Sequence, residues 1–134
     1  MIPENYHDLL NAPVVVTVVT VMPDGQPQAT PVWVSFDGEL IWVNTAAGRQ
    51  KDINMLHNPK VTVGALDPEN PYRWIEVRGV VTERTTEGAL DHIDELARLY
   101  FNAPRFYSGP RAELEGKEER VIFKIKPQKV NARG

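Results

Sequence analysis

A chain of 134 residues with 42% hydrophobic and 25% charged side chains holds the material for one core and too little for two. Its formal charge of -3 excludes a general nucleic-acid surface, which needs an excess of Lys and Arg, and the lack of cysteine excludes disulfides and thiolate metal ligands. No apolar run approaches the roughly 18 residues of a membrane span, and the first residues lack a signal-peptide pattern. The expectation is a single cytoplasmic domain over residues 1–134 with no membrane partner.

Pro3 to Leu10 is predicted as a short helix with Tyr6, Leu9 and Leu10 on one side, stopped by Pro13. Val14 to Val21 is rich in β-branched residues and apolar on both faces, which predicts a strand buried on both sides, a barrel wall covered by a helix or a second subunit. After a turn at Pro23-Asp24-Gly25-Gln26, Gln28 to Phe36 forms the second predicted strand, Asp37-Gly38 a hairpin turn, and Leu40 to Asn44 the third strand. Gly48 to Asn58 changes to helical period, with Ile53, Met55 and Leu56 as its apolar face, and Asn58-Pro59 ends it. Lys60 to Leu66 and Trp74 to Glu83 are two more strands around the turn-rich Asp67 to Pro71. Thr86 to Tyr100 is the clearest helix, with Thr86 as its cap and Leu90, Ile93, Leu96, Ala97 and Tyr100 at helical spacing. Asn102 to Glu119 reads as a loop, and Val121 to Ile125 closes the pattern as a sixth strand. The fold class is therefore mainly β: a six-stranded antiparallel barrel with flanking helices.

The stretch most suggestive of chemistry is Val43-Asn44-Thr45-Ala46-Ala47-Gly48-Arg49-Gln50-Lys51, where a strand gives way to a helix. Free backbone N–H groups at a helix start point toward an anion. Arg49 adds a two-pronged donor, Lys51 adds a point charge, and together they read as a phosphate cup. Composition alone favours an ordinary solvated helix start with two surface cations. Trp42, in the middle of a short strand, reads as core, whereas Trp33 and Trp74 divide evenly between packing and a site. His57 reads as a helix-end residue, His7 and His92 as surface residues, and Glu113, Glu115, Glu118 and Glu119 as a solvated acidic loop. No carboxylate pair, Ser-His pair or metal-ligand spacing stands out.

The order of motifs along the whole chain carries more than any one of them. An apolar strand, a Pro-Asp-Gly turn, Thr30-Pro31-Val32-Trp33, an Asp-Gly turn, Asn44-Thr45-x-x-Gly48-Arg49-x-Lys51 and Asn58-Pro59-x-Val61 follow one another. This order resembles the pyridoxamine-phosphate-oxidase-like split barrels from about Leu9 to Val130. Asp67-Pro68-Glu69-Asn70-Pro71-Tyr72-Arg73-Trp74-Ile75-Glu76-Val77-Arg78-Gly79 looks like the branch that uses the deazaflavin coenzyme F-420.

That resemblance implies that Arg49 and Lys51, with Gln50 between them, hold a cofactor phosphate, assisted by Asn44, Thr45 and the backbone near Ala46. It implies that Thr30, Pro31, Val32 and Trp33 line the cofactor ring, with Thr30 as a polar helper. It further implies a homodimer with the cofactor between subunits, so that Tyr72, Arg73 and Trp74 reach the partner's site. The chain departs from the true vitamin B6 oxidases, since no His or Trp follows His92. The implied activity is an F-420-dependent reductase, in which the cofactor carries a hydride to a small organic acceptor and the protein orients it. An FMN-dependent oxidoreductase and a non-catalytic cofactor-binding or storage protein are the alternatives. A basic patch of Lys60, Arg73 or Arg78 would favour the acid-tailed F-420.

Overall fold

Trp33 divides what the sequence presents as one strand, and the computed structural model, which describes residues 1–134, consequently has seven strands where six are predicted. They are β1 (Val16–Val21), β2 (Pro27–Val32), β3 (Val34–Phe36), β4 (Ile41–Ala46), β5 (Lys60–Asp67), β6 (Asn70–Thr85) and β7 (Arg120–Arg133). Three α-helices flank them: α1 (Asp8–Asn11), α2 (Gln50–His57) and α3 (Ala89–Phe101). All strand pairs are antiparallel, in one sheet of order β2-β1-β5-β6-β7-β4-β3.

This order explains the break. β2 pairs with β1 and β3 with β4, so the two strands lie at opposite edges of the sheet although only Trp33 separates them. Two residue steps span at most about 7 Å. The sheet therefore curls until its edges approach at Trp33, closed by the covalent chain while its hydrogen bonding stays open. At that seam the Tyr100 hydroxyl from α3 donates to the Val14 carbonyl at 2.8 Å and accepts from the Val34 N–H at 3.3 Å. Backbone groups between the strand edges thus find a partner.

The final strand runs much further than the apolar Val121 to Ile125. Its first half pairs with β4, and its polar second half continues along β6 as far as Trp74 opposite Arg133. Pro127, which has no N–H to give, falls where the register shifts opposite Gly79. A side chain at Gly79 would stand 2.5 Å from the Lys126 carbonyl oxygen, so the crossing demands glycine.

The core fills the inside of the curl with Val16, Val18, Ile41, Val63, Val77 and Phe123, and α1 inserts Leu9 and Leu10. Within one chain β1 buries only one face: Val16, Val18 and Thr20 point inward, while Thr17 is exposed and Val15, just before the strand, is 57% exposed. The predicted burial on both sides is thus absent from the single chain. In α2 the apolar pattern misleads as well, because Ile53 and Leu56 face outward. Asp52, Asn54 and Met55 take the inner side. Asp52 is held there by the Gly48 N–H and Arg84, and Asn54 by Thr20 and Gln28, since buried polar groups need such partners. α3 buries Ile93, Leu96 and Ala97 as predicted but leaves Leu90 outside. It starts from Gly88 at φ 74° without a side-chain cap, so Thr86 does not cap it.

Candidate functional site

The end of β4, the entry to α2 and the head of β7 adjoin in space, because Ala46 pairs with Arg120 and the Ala47 N–H donates to the Glu119 carbonyl. Beside them lies a cavity of about 290 Å³ lined by Val15, Pro31, Val32, Trp33, Asn44, Arg49, Lys51, Ile93, Phe106 and Arg120. Its wall combines three cations with apolar and aromatic surface.

Arg120 is the unusual member. It is only 5% exposed, and its Nε donates to Asn44 Oδ1 at 2.9 Å. Its Nη1 is buried without any hydrogen-bond partner, although Glu118 Oε1 stands 3.5 Å away as a counter-charge. That same carboxylate takes a hydrogen bond from Arg49 at 3.0 Å and one from the Tyr107 hydroxyl at 3.0 Å. Burial pushes the Glu118 carboxyl up, but Tyr107 and Arg49 together outweigh it and hold the group below its usual range. One carboxylate thus serves two arginines, while Lys51 has no ion pair at all. Burial first, then the fields of Arg49 and Arg120, lowers the Lys51 pKa, and burial likewise lowers that of Arg120. Such a surplus of positive charge, in which the buried Arg120 keeps an unused donor beside half-buried Lys51 and exposed Arg49, matches a phosphate, which offers several acceptor oxygens.

The apolar part of the wall suits a flat ring. Trp33 stacks on Tyr100 with centroids 5.2 Å apart and meets Phe106 edge-on at 5.9 Å. Phe106 is fixed at both backbone groups: its N–H donates to Asp94 Oδ1 and its carbonyl accepts from Arg111 Nε, each at 2.8 Å. Its ring lies 4.7 Å from the Arg111 guanidinium and 4.9 Å from that of Arg120. The donor set and the aromatic wall together fit a phosphate-bearing cofactor with a planar ring system.

Of the residues singled out in the sequence, Pro31, Val32, Trp33, Asn44, Arg49 and Lys51 come together around this cavity. Thr30 is half-buried within β2 opposite Val18 and does not line it. Thr45 and Ala46 are buried beneath the site, and the Thr45 hydroxyl is without a partner. Gln50 turns to Asn54 at 2.8 Å. Tyr72 is 82% exposed, and Arg73 is bound by Asp8 and Asp67 of its own chain. Trp74 lines a second hollow with Val15, Thr17, Gly64, Ala65, Leu66, Ile75 and Glu76. Val15 belongs to both hollows, so they share one open face. Of the suggested basic patch, Arg73 is engaged by Asp8 and Asp67 and Arg78 pairs with Glu76 at 3.3 Å, while the exposed Lys60 has no ion pair.

Sequence reasoning missed Val15, Ile93, Phe106 and Arg120 in the wall and Glu118 and His92 behind it. Glu118 is no solvated charge. His92 is 5% exposed, and burial, with Arg120 and Lys124 adding to it, lowers its pKa to about 4. Trp42 is only half-buried, with its Nε1 donating to Asp37 and Lys124 over its ring at 4.2 Å. The available signal for Arg120 was a charge at the head of an apolar run that lies buried on both faces. No group of three or more His, Asp or Glu residues is placed to hold a metal, and no helix is long and apolar enough to cross a membrane.

Comparison with known proteins agrees with this reading of the fold. An F-420 reductase of known structure is 35% identical, covering 97% of this chain and 98% of its own, with a TM-score of 0.83. A conserved hypothetical protein from Mycobacterium tuberculosis (23% identity, 99% and 84% coverage, TM-score 0.72) shares the fold. So does HupZ from Group A Streptococcus (23%, 98% and 94%, TM-score 0.66). No curated protein matches the chain. The family model described as pyridoxamine 5'-phosphate oxidase matches residues 2–134, and the chain therefore belongs to the pyridoxamine 5'-phosphate oxidase-like split-barrel superfamily.

Proposed function

We propose that the protein is an F-420-dependent reductase acting on a small organic acceptor, with the cofactor phosphate held by Arg49, Lys51 and Arg120. The observation that carries this reading is the cavity itself: three cations sharing one carboxylate, the buried Arg120 among them with an unused donor, beside an aromatic wall. The 35% identical F-420 reductase, matched over nearly its whole length, supports the choice of cofactor. When bound, a reduced deazaflavin supplies the hydride. The chain's own residues orient the ring against Trp33 and Phe106, exclude water with Val15, Val32 and Ile93, and neutralise the phosphate. Tyr107 is held by Glu118 and does not line the cavity, so it does not plug the site, which supports turnover over storage.

One observation favours FMN as the alternative. F-420 carries an acidic tail, and of the three cations named for it Arg73 and Arg78 are occupied by carboxylates, which leaves only Lys60. We further propose that a second copy of the chain covers the face bearing Val15, Leu66 and Trp74, completing the site and keeping Val15 and Leu66, both 57% exposed in one chain, from water.

The deciding experiment is a titration with F-420 and, separately, FMN, followed by tryptophan fluorescence, for which Trp33 in the cavity wall is a built-in reporter. Preference for F-420 sustains the reading. Preference for FMN replaces the cofactor but keeps the site, and binding of neither defeats it.

A further inference from the structure

A largely buried polar chain runs from Ser35 and His92, behind the cavity wall, through Asn44 to Arg120. Ser35 Oγ is 2.8 Å from His92 Nε2, His92 Nδ1 is 3.1 Å from Asn44 Nδ2, and Asn44 Oδ1 is 2.9 Å from Arg120 Nε. Asn44 Nδ2 also donates to the Ala89 carbonyl at 2.8 Å.

The proton positions follow from what each end is able to do. A guanidinium only donates, so Asn44 must present its oxygen to Arg120. A backbone carbonyl only accepts, so Asn44 must present its nitrogen to Ala89 and, on the same side, to His92. His92 Nδ1 must then accept, which leaves its hydrogen on Nε2, where Ser35 receives it. Every member has one assignable role, and the last donor in the series, Arg120 Nη1, is left without a partner beside the cavity.

We propose that His92 is a positioning residue of the anion site: as a neutral imidazole protonated at Nε2, it locks the Asn44 amide, and that amide aims Arg120 at the ligand phosphate. The inference rests on reading this cavity as a phosphate-cofactor site. His92 touches neither the cavity nor its ligand; it is absent from the lining, two links removed from the free donor. Were Nδ1 to carry a proton, the amide would have to turn over, setting its NH₂ against the Arg120 N–H and its oxygen against the Ala89 carbonyl. Burial first, and then the cations Arg120 and Lys124, favour the neutral form of His92, whose other neighbours are Ser35, Trp42 and Asn44.

The arrangement separates positioning from charge. A nearby histidine acting only by charge would strengthen anion binding when protonated. Here the neutral ring is the productive one, so an uncharged replacement with the same hydrogen-bonding pattern suffices. His92→Gln offers an amide oxygen to Asn44 and an NH₂ to Ser35, whereas His92→Leu fills similar space and offers nothing.

The test uses FMN and F-420 as probes at neutral pH, with calorimetric affinities for the wild type, His92→Leu, His92→Gln, Arg120→Ala and the double variant His92→Leu/Arg120→Ala. Losing the aimed, charge-assisted contact is expected to weaken binding about tenfold in His92→Leu, with His92→Gln within about threefold of wild type. Because the effect runs through Arg120, the double variant should lose little more than Arg120→Ala alone. Imidazole nitrogen NMR shifts of the unliganded protein should show the Nε2–H tautomer, a readout that survives even if His92→Leu fails to fold. Unchanged affinity in His92→Leu, fully additive losses, or an Nδ1–H tautomer each overturns the proposal while leaving the cofactor site intact. A wild type that binds neither probe defeats the functional reading, and this inference with it.

Discussion

Two arginines define opposite extremes in this molecule. Arg73 is saturated at both amino groups: Nη1 donates to Asp8 Oδ2 at 2.9 Å and Asp67 Oδ2 at 3.0 Å, and Nη2 to the Asn5 carbonyl and Asp8 Oδ1, both at 2.6 Å. Its guanidinium also lies 5.2 Å from the Tyr6 ring, and the Tyr6 hydroxyl donates to the Gly134 carbonyl, so this cluster ties the two ends of the chain together. The hydrogen bonds that Arg73 gives to Asp8 and then to Asp67 raise the Arg73 pKa. Arg120 is deeply buried, has one good hydrogen bond, and shares a single carboxylate with Arg49. Two carboxylates serve one cation at the clamp, whereas one carboxylate serves two arginines beside an unpaired lysine at the cavity. Burying a charge with an unused donor destabilises a fold unless something else completes it. Saturation marks Arg73 as a staple, and its absence marks Arg120 as part of a binding site.

Acid separates the two regions most strongly. His92 has a folded pKa of about 4, below its ordinary 6.5. Above pH 6.5 the ring is neutral in folded and unfolded chains, and stability is level. Between pH 6.5 and about 4 only the unfolded chain takes up the proton, so the fold loses up to about 3 kcal/mol as pH falls through this window. The clamp follows a different course. Hydrogen bonds from Arg73 to Asp8, and from the Glu69 N–H and Arg73 to Asp67, hold both carboxyls below 3.8, so their contribution persists above that value and is lost only as pH falls through their lower folded pKa values. Urea midpoints measured from pH 7 to 4 should decline in the wild type and lose most of that slope in His92→Gln. An equal slope in both proteins would remove His92 as the cause.

The next largest effect tests the cation surplus directly. Replacing Arg49 and Lys51 by Ala removes two charge-assisted contacts, each worth about 1.5–3 kcal/mol. Cofactor affinity should fall at least about tenfold while the melting temperature changes little. An unchanged affinity in the folded variant would show that the cations are solvated surface and that the difference from Arg73 has no functional meaning.

A smaller loss is expected at the face shared by the two hollows. Val15→Asp places a charge where a second copy of the chain is proposed to pack, and sedimentation should show a shift toward monomer with severalfold weaker cofactor binding. A wild-type chain that sediments as a monomer and still binds cofactor would mean that one chain completes the site by itself.

The contrast between the arginines also shows what a sequence reveals. Local period located nearly every element, and the resemblance of motif order brought Trp33, Asn44, Arg49 and Lys51 to one place, as the cavity lining shows. The broken strand at Trp33 was hidden because Gln28 to Phe36 is continuous in local propensity; only the sheet order makes the chain change edges there. Polar β7 beyond Ile125 was hidden for a similar reason, since its pairing with β6, not its own pattern, makes it a strand. Arg120, Glu118 and His92 depend on contacts between residues far apart in sequence, and a charged loop reads alike whether its charges face water or a buried guanidinium. Asp8 and Arg73 are 65 positions apart. Nothing local distinguishes the saturated arginine from the starved one.

The smallest expected effect on binding therefore belongs to Arg73→Ala, and it makes the sharpest use of the comparison. The family resemblance assigns Arg73 to the partner's cofactor site, whereas in the single chain both of its amino groups are held by Asp8, Asp67 and Asn5. If the clamp stays closed in the assembled protein, Arg73→Ala should lower the melting temperature and free the chain ends, with cofactor affinity unchanged. Asp8→Asn should do the same more mildly, because it weakens the charge pairing but keeps a side-chain oxygen for the guanidinium. A tenfold loss of affinity in Arg73→Ala, with Asp8→Asn binding normally, would mean that the guanidinium turns from its own carboxylates to the ligand across the interface. Saturation seen in one chain would then be a resting arrangement, and Arg73 would join Arg120 as an arginine whose partner arrives with the cofactor.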